Sequence, residues 1–247
     1  MSGWLSLVNL SDDYERRARF IPGVLALLPI VLAAACIGQN VIPMIASLLA
    51  GVGLSAVLAI GISHMASMFG NRFQERVWPK WPYDSPTNSM LDAESRRCSS
   101  EQRTIWYGAI EKLTGIHLSD EIQSKQPDEK AALINDAIRG ARSILRESPE
   151  ASVLKRYNVD YGFARNLAGL RVVWLPLCIA TAALCWYQFA TDRAEIAWPI
   201  ASSALLGLAA ATACTIKPYV RRKAEYYAEA FFQALVEHAG ADSTNAG

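Results

Sequence analysis

Hydrophobic and polar positions are segregated along this chain. Apolar residues crowd into two blocks, about 20–69 and 172–216, and a polar block of about a hundred residues separates them. Positions 20–37 carry no charge, just enough chain to cross a bilayer as a helix. Pro22 suits a first turn, whereas Pro29 predicts a kink or a packing site. Gly38, Gln39 and Asn40 make a minimal turn, and positions 41–69 are again uncharged. That second run exceeds the need of one span, so the helix tilts or emerges on the far side. Positions 172–190 form a third uncharged run, 191–195 a short turn, and 196–216 a fourth apolar run. The pattern predicts an all-α membrane protein, four transmembrane helices in two hairpins with a cytoplasmic helical domain between them.

The polar segments refine this picture. Positions 1–19 hold Trp4, Leu5, Leu7, Val8 and Leu10, then a cap-like Ser11, Asp12 and Asp13, then Arg16, Arg17 and Arg19. They read as an amphipathic interfacial segment with arginines among lipid headgroups. The first hairpin with its cytoplasmic extension covers 20–77. Trp78, Pro79, Trp81 and Pro82 end the helix that leaves the membrane, and 83–90 reads as a loop. A helix over about 100–113 presents Ile105, Trp106, Ala109, Ile110 and Leu113 on one face, and Gly115 ends it. A second helix over 127–146 begins with Pro127, Asp128 and Glu129, which suit a helix N-terminus. Ser148 and Pro149 separate it from a short helix around 150–156. Positions 157–171 then form the junction that re-enters the membrane, so the sensor domain spans 78–171 and the second hairpin 172–216. Lys217 and Pro218 predict a kink, and 219–238 then reads as a helix that packs on the middle domain, within a C-terminal segment of 217–247 whose last residues, 240–247, fray.

Charge sets the topology. Both hairpin turns are too short to hold a domain, so the N-terminus, the middle block and the C-terminus share one side. That side holds Arg72, Arg76, Lys80, Lys155, Arg156, Lys217, Arg221, Arg222 and Lys223 besides the N-terminal arginines, whereas the opposite turns hold only Arg193. The positive-inside rule makes the charged side cytoplasmic. No signal peptide is evident, because the first apolar run follows a charged segment and is followed at once by a second.

Composition excludes more than it assigns. Net charge is +1, which gives no bulk field for an anionic partner. Five cysteines show neither metal spacing nor a disulfide framework, and four of them lie in apolar runs. There is no glycine-rich phosphate loop, no nucleophile elbow and no His/Cys cluster. We therefore expect no enzyme, no metal and no cofactor. His64 is the one histidine of the apolar blocks, and its place near the cytoplasmic end makes it interfacial. No Asp, Glu, Lys or Arg falls inside a span. Such a residue costs about 2.5–3.5 kcal/mol on insertion scales and marks ion relays, so its absence argues against a proton-coupled transporter. A pore lined by small and hydroxyl residues remains compatible.

Three groups of residues carry candidate function. Ser47, Gly51, Ser55, Ala59 and Ser63 recur every four positions and place small residues on one face of the second span. Such a face serves packing within one chain, an oligomer seam or a pore lining. Ser203, Gly207, Ala211 and Thr215 repeat the pattern in the fourth span. Arg139, Arg142 and Arg146 form one stripe of the second polar helix, either a phosphate-binding set or a solvated face. From 84 to 171 thirteen basic residues balance thirteen acidic ones, so any nucleotide site is local. Tyr161, Gly162, Arg165 and Arg171 lie in the junction, through which any force from the polar domain must pass.

Two motifs and the N-terminal run carry a resemblance. They are Tyr161 to Leu170 before the third span, Trp78 and Trp81 followed by Pro86 and Thr87, and the run from Tyr14 to Pro22. Together they resemble the small four-span bacterial membrane effectors of anti-phage defence loci, of the Hailong type. The resemblance covers the membrane-flanking thirds and is weak over the middle helices. It implies a tetrameric ion channel held closed by single-stranded DNA oligomers that a partner nucleotidyltransferase makes. Loss of the oligomer during infection would open it and depolarise the membrane. It supplies no ligand-contact residues. The alternative from composition alone is a non-conducting membrane-anchored sensor or scaffold acting through protein contacts.

Overall fold

A computed structural model describes residues 14–38, 54–118, 125–149 and 151–245 of the chain. Helices joined by short turns make up the described residues, and no strand occurs among them. A π-helical turn, Tyr14–Phe20, runs directly into α1, Ile21–Ile37. The other helices are α2 (Leu54–Val77), α3 (Pro86–Leu91), α4 (Ser100–Thr114), α5 (Pro127–Leu145), α6 (Ala151–Ala190) and α7 (Ala197–Asn245). Three stretches are long and apolar enough to cross a membrane: Tyr14–Ile37, Ala151–Ala190 and Ala197–Ala241. That is the architecture of a membrane protein. Of the run at 41–69, expected as the second span, positions 41–53 lie outside the described residues and 54–69 fall in α2.

Contacts divide the chain into two compact units, one of residues 1–74 and 159–220, the other of 75–158 and 221–247. Helices α2, α6 and α7 contribute to both.

The first unit contains the apolar helices. Ala26 of α1, Ala66 of α2, Leu170, Trp174 and Cys178 of α6 and Ala209 of α7 form its buried cluster. Small residues let these helices approach closely, as expected where lipid supplies no hydrophobic drive between them. Hydroxyls add cross-links: Thr181 Oγ1 donates to the Pro29 carbonyl at 3.0 Å, and Trp186 Nε1 donates to Ser203 Oγ at 3.1 Å.

The second unit has a core of aromatic and aliphatic side chains. Leu91 of α3, Trp106 and Ile110 of α4, Ile138 and Leu145 of α5 and Phe231 and Phe232 of α7 are buried together. Trp106 stacks on Phe232 with centroids 4.2 Å apart. So the C-terminal part of α7 completes the core that the middle helices cannot fill alone.

Four local expectations change. The stretch 83–90, read as a loop, holds α3, because Ser85 caps it and Pro86 occupies its first turn. The short helix read around 150–156 and the junction at 157–171 are, from Ala151 on, one continuous piece of α6. Its glycines are used for close packing rather than for breaking the helix. The helix read from 219 is not separate from the fourth apolar run: α7 continues through Pro218. An internal proline costs about 3 kcal/mol, and burial of Ile216, Val220 and Ala224 on either side outweighs it. The helix also persists to Asn245, through most of the tail read as frayed.

Candidate functional site

Helix α5 owes its register to its ends and its apolar stripe. Pro127 opens it, Asp128 and Glu129 meet its positive end, and Ile134, Ala137, Ile138, Ala141 and Leu145 are buried against the core. That burial turns the flank bearing Arg139, Arg142 and Arg146 outward, and all three are exposed. The three arginines line one cavity of about 400 Å³, together with Trp81, Ser85 and Asn88 from the segment that leads into α3. The stripe found by spacing alone is therefore one wall of a concave site.

The opposite wall is built by the α3 cap. Ser85 Oγ accepts the backbone N–H of Asn88 at 3.4 Å, and its own proton goes to Asn88 Oδ1 at 2.8 Å. The carboxamide oxygen is thus occupied and its orientation set. Asn88 is 4% exposed, and its buried Nδ2 has no hydrogen-bond partner. A buried amide donor left unpaired costs about 1–3 kcal/mol, so it needs an explanation. Trp81 presents a partly exposed indole backed by Trp78, whose ring centroid is 5.9 Å away.

The arginines are not equivalent. Arg142 lies over the rings of Tyr227 and Phe231, at 5.9 Å from each centroid, and so is tied to the core. Arg139 and Arg146 have no ion pair among the described residues. A second cavity of about 430 Å³ also touches Asn88, but its charge is mixed. There Lys130 Nζ pairs with Asp92 at 2.6 Å and with Glu94 at 3.4 Å. Burial pulls the Lys130 ammonium down, yet the hydrogen bonds and charges of Asp92 and Glu94 outweigh it and leave the pKa raised. Its cation is spent inside the protein, whereas those of Arg139 and Arg146 face the arginine-lined cavity.

The junction residues form a separate constellation in the first unit. Tyr161 Oη donates to Gln74 Oε1 at 2.8 Å, and Arg165 Nη1 donates to the same oxygen at 3.1 Å. Arg165 Nε also reaches Asn166 Oδ1 at 3.3 Å, while Asn166 Nδ2 donates to the Ala18 carbonyl at 2.6 Å. Asn166 is fully buried, and Gln74 nearly so. This network joins α6, α2 and the N-terminal π-helical turn. Gly162 makes room for it, because a Cβ there would lie 2.9 Å from Ala18 Cβ and 3.0 Å from Tyr14. Arg171 places its guanidinium 5.0 Å from the Phe73 ring centroid. All four junction residues thus contact α2 or the N-terminal turn, or lie over their own helix's partner in that network.

Of the small-residue face on the second span, Ser63 is buried within the chain. Ser47 and Gly51 lie outside the described residues, as do the side chains of Ser55 and Ala59. On the fourth span, Ser203, Gly207, Ala211 and Thr215 are exposed, and nothing lies within 4 Å of a Cβ built on Gly207. Sequence reasoning missed Ser85 and Asn88 as site residues. The Ser85, Pro86, Asn88 pattern of a capped helix was the available signal. Among the described residues no cluster of His, Cys, Asp and Glu could hold a metal.

No protein-family model, curated protein or solved structure matches this chain.

Proposed function

We propose that this chain is a membrane effector of anti-phage defence, an oligomeric ion channel of the bacterial inner membrane that a single-stranded DNA oligomer holds shut. The ligand binds the arginine-lined cavity of the second unit, and its loss opens the channel and depolarises the membrane. The observation that carries this reading is the convergence of three arginines, an indole and an unpaired amide on one cavity. Guanidinium groups meet phosphates and an indole offers a stacking face, a combination suited to single-stranded nucleic acid. The resemblance at the flanks of the apolar runs supplies the biological setting and the tetrameric state. Four spans, with both termini and the second unit cytoplasmic, complete the reading. The exposed small face of α7, Ser203, Gly207, Ala211 and Thr215, is the available seam for subunit contact.

The test is binding of a labelled single-stranded DNA oligomer to the detergent-solubilised full chain, followed by fluorescence anisotropy across a salt series. Arg139→Ala with Arg146→Ala should weaken binding and flatten the slope of log K against log salt by about 0.7 per lost phosphate contact. Arg142 is left in place because it also packs on Tyr227 and Phe231. An unchanged affinity and slope would remove the cavity from the account.

A further inference from the structure

The unpaired Asn88 amide points to more than phosphate binding. A phosphate site needs cations, and Arg139 and Arg146 provide them without help from the opposite wall. The opposite wall instead offers one neutral donor, Asn88 Nδ2, and one aromatic face, Trp81. Ser85 Oγ donates to the carboxamide oxygen, which leaves Nδ2 as the group of Asn88 without a protein partner. A ligand atom that meets it must therefore be an acceptor. The cavity is about 400 Å³, within the range of roughly 300–1,000 Å³ typical of small-ligand sites. That is room for a nucleotide unit rather than a length of strand. The neighbouring cavity balances Lys125 and Lys130 against Asp92 and Glu94, so the arginine-lined cavity is the one with an excess of cations.

Resting on the nucleic-acid reading above, we propose that the cavity takes one nucleotide unit and reads its base as well as its phosphate. The phosphate lies at Arg139 and Arg146, the base stacks on Trp81, and Asn88 Nδ2 donates to a ring nitrogen or carbonyl of the base. Asn88 and Trp81 are thus specificity-determining residues, and Ser85 is the positioning residue that keeps the amide facing as a donor.

Competition separates this from charge binding. A labelled DNA oligomer is bound to the solubilised full chain and displaced by deoxynucleoside monophosphates, deoxyribose 5-phosphate or inorganic phosphate. The proposal expects at least one monophosphate to displace it at about tenfold lower concentration than deoxyribose phosphate, since stacking on an aromatic ring is worth about 1–3 kcal/mol. Trp81→Ala, at a partly exposed position, should abolish that advantage while phosphate competition persists. Asn88→Ala should reduce it, and Ser85→Ala should reduce it less, with the thermal midpoint recorded for each variant. Monophosphates no better than deoxyribose phosphate, or an advantage that survives Trp81→Ala, would overturn the inference and leave the oligomer reading standing. An oligomer that fails to bind the wild-type chain would overturn both.

Discussion

Arg103 shows how a single side chain organises the second unit. It is 8% exposed, yet no carboxylate is among its hydrogen-bond partners. Its guanidinium instead donates to the carbonyls of Met90 at 3.4 Å, Ala93 at 3.2 Å and Ser95 at 2.7 Å. It ties together the chain between α3 and α4 through main-chain acceptors, sharing the Met90 carbonyl with Cys98 Sγ. Hydrogen bonds to a charged group contribute about 1.5–3 kcal/mol. Arg103→Ala should therefore destabilise the second unit by about 2–3 kcal/mol, read as a lower denaturation midpoint, with Arg103→Lys only partly restoring it. Tyr107 and Lys130 give a pH signature. Burial pushes the Tyr107 phenol up to about 12, and the Asp92 and Glu94 partners leave Lys130 raised against the pull of burial. Both folded-state values exceed the unfolded ones, so both contributions are complete below pH 10 and are lost as pH rises through the folded values. The denaturation midpoint should fall between pH 10 and 12, and Tyr107→Phe should remove part of that fall. None of the three residues was legible as special in the sequence. A buried arginine on carbonyls looks, in one dimension, like any charged residue of an amphipathic helix.

At the scale of the element, the long helices depend on close approach. Gly169 of α6 packs directly on the backbone of Phe69 and Gly70, so an added Cβ there collides with main chain that cannot step aside. Gly169→Leu should prevent α6 and α2 from packing, seen as loss of folded, detergent-extractable protein. Gly207→Leu, where the space is open, should leave the fold intact and report instead on subunit contact. The apolar runs themselves were plain from sequence, because a stretch without charge has few readings. Helices α4 and α5 were legible to within a residue or two from apolar spacing and terminal signals. Length was harder. Pro218, Gly162 and Gly169 each carry a local signal for a break, and packing overrides it, which only the neighbours of those residues reveal. The small helix α3 was missed for the opposite reason: six residues are too few for periodicity, and the cap was the whole signal.

At the scale of the whole molecule, α2, α6 and α7 each run from the apolar unit into the second. The candidate ligand site was half visible beforehand. Three arginines on one stripe follow from spacing in α5, but the wall facing them comes from 81–88, more than fifty positions earlier. Only folding brings those two segments together. The junction residues were picked for their position before the third apolar run, and the structure gives them partners: Gln74, Asn166 and Ala18 form a buried polar network with Tyr161 and Arg165. Such a network is costly when half satisfied, so two discrete packings are favoured over gradual loosening. In the proposed function this is where the change between closed and open states is registered.

The most direct measurement is ion flux from liposomes containing the purified full chain, with and without single-stranded DNA oligomer on the outside, for the wild type and for Arg139→Ala with Arg146→Ala. The account predicts flux from the wild type that the oligomer suppresses, and flux from the double variant that the same oligomer leaves unchanged. Inserted wild-type protein that conducts nothing in either condition, or conducts equally in both, would contradict it.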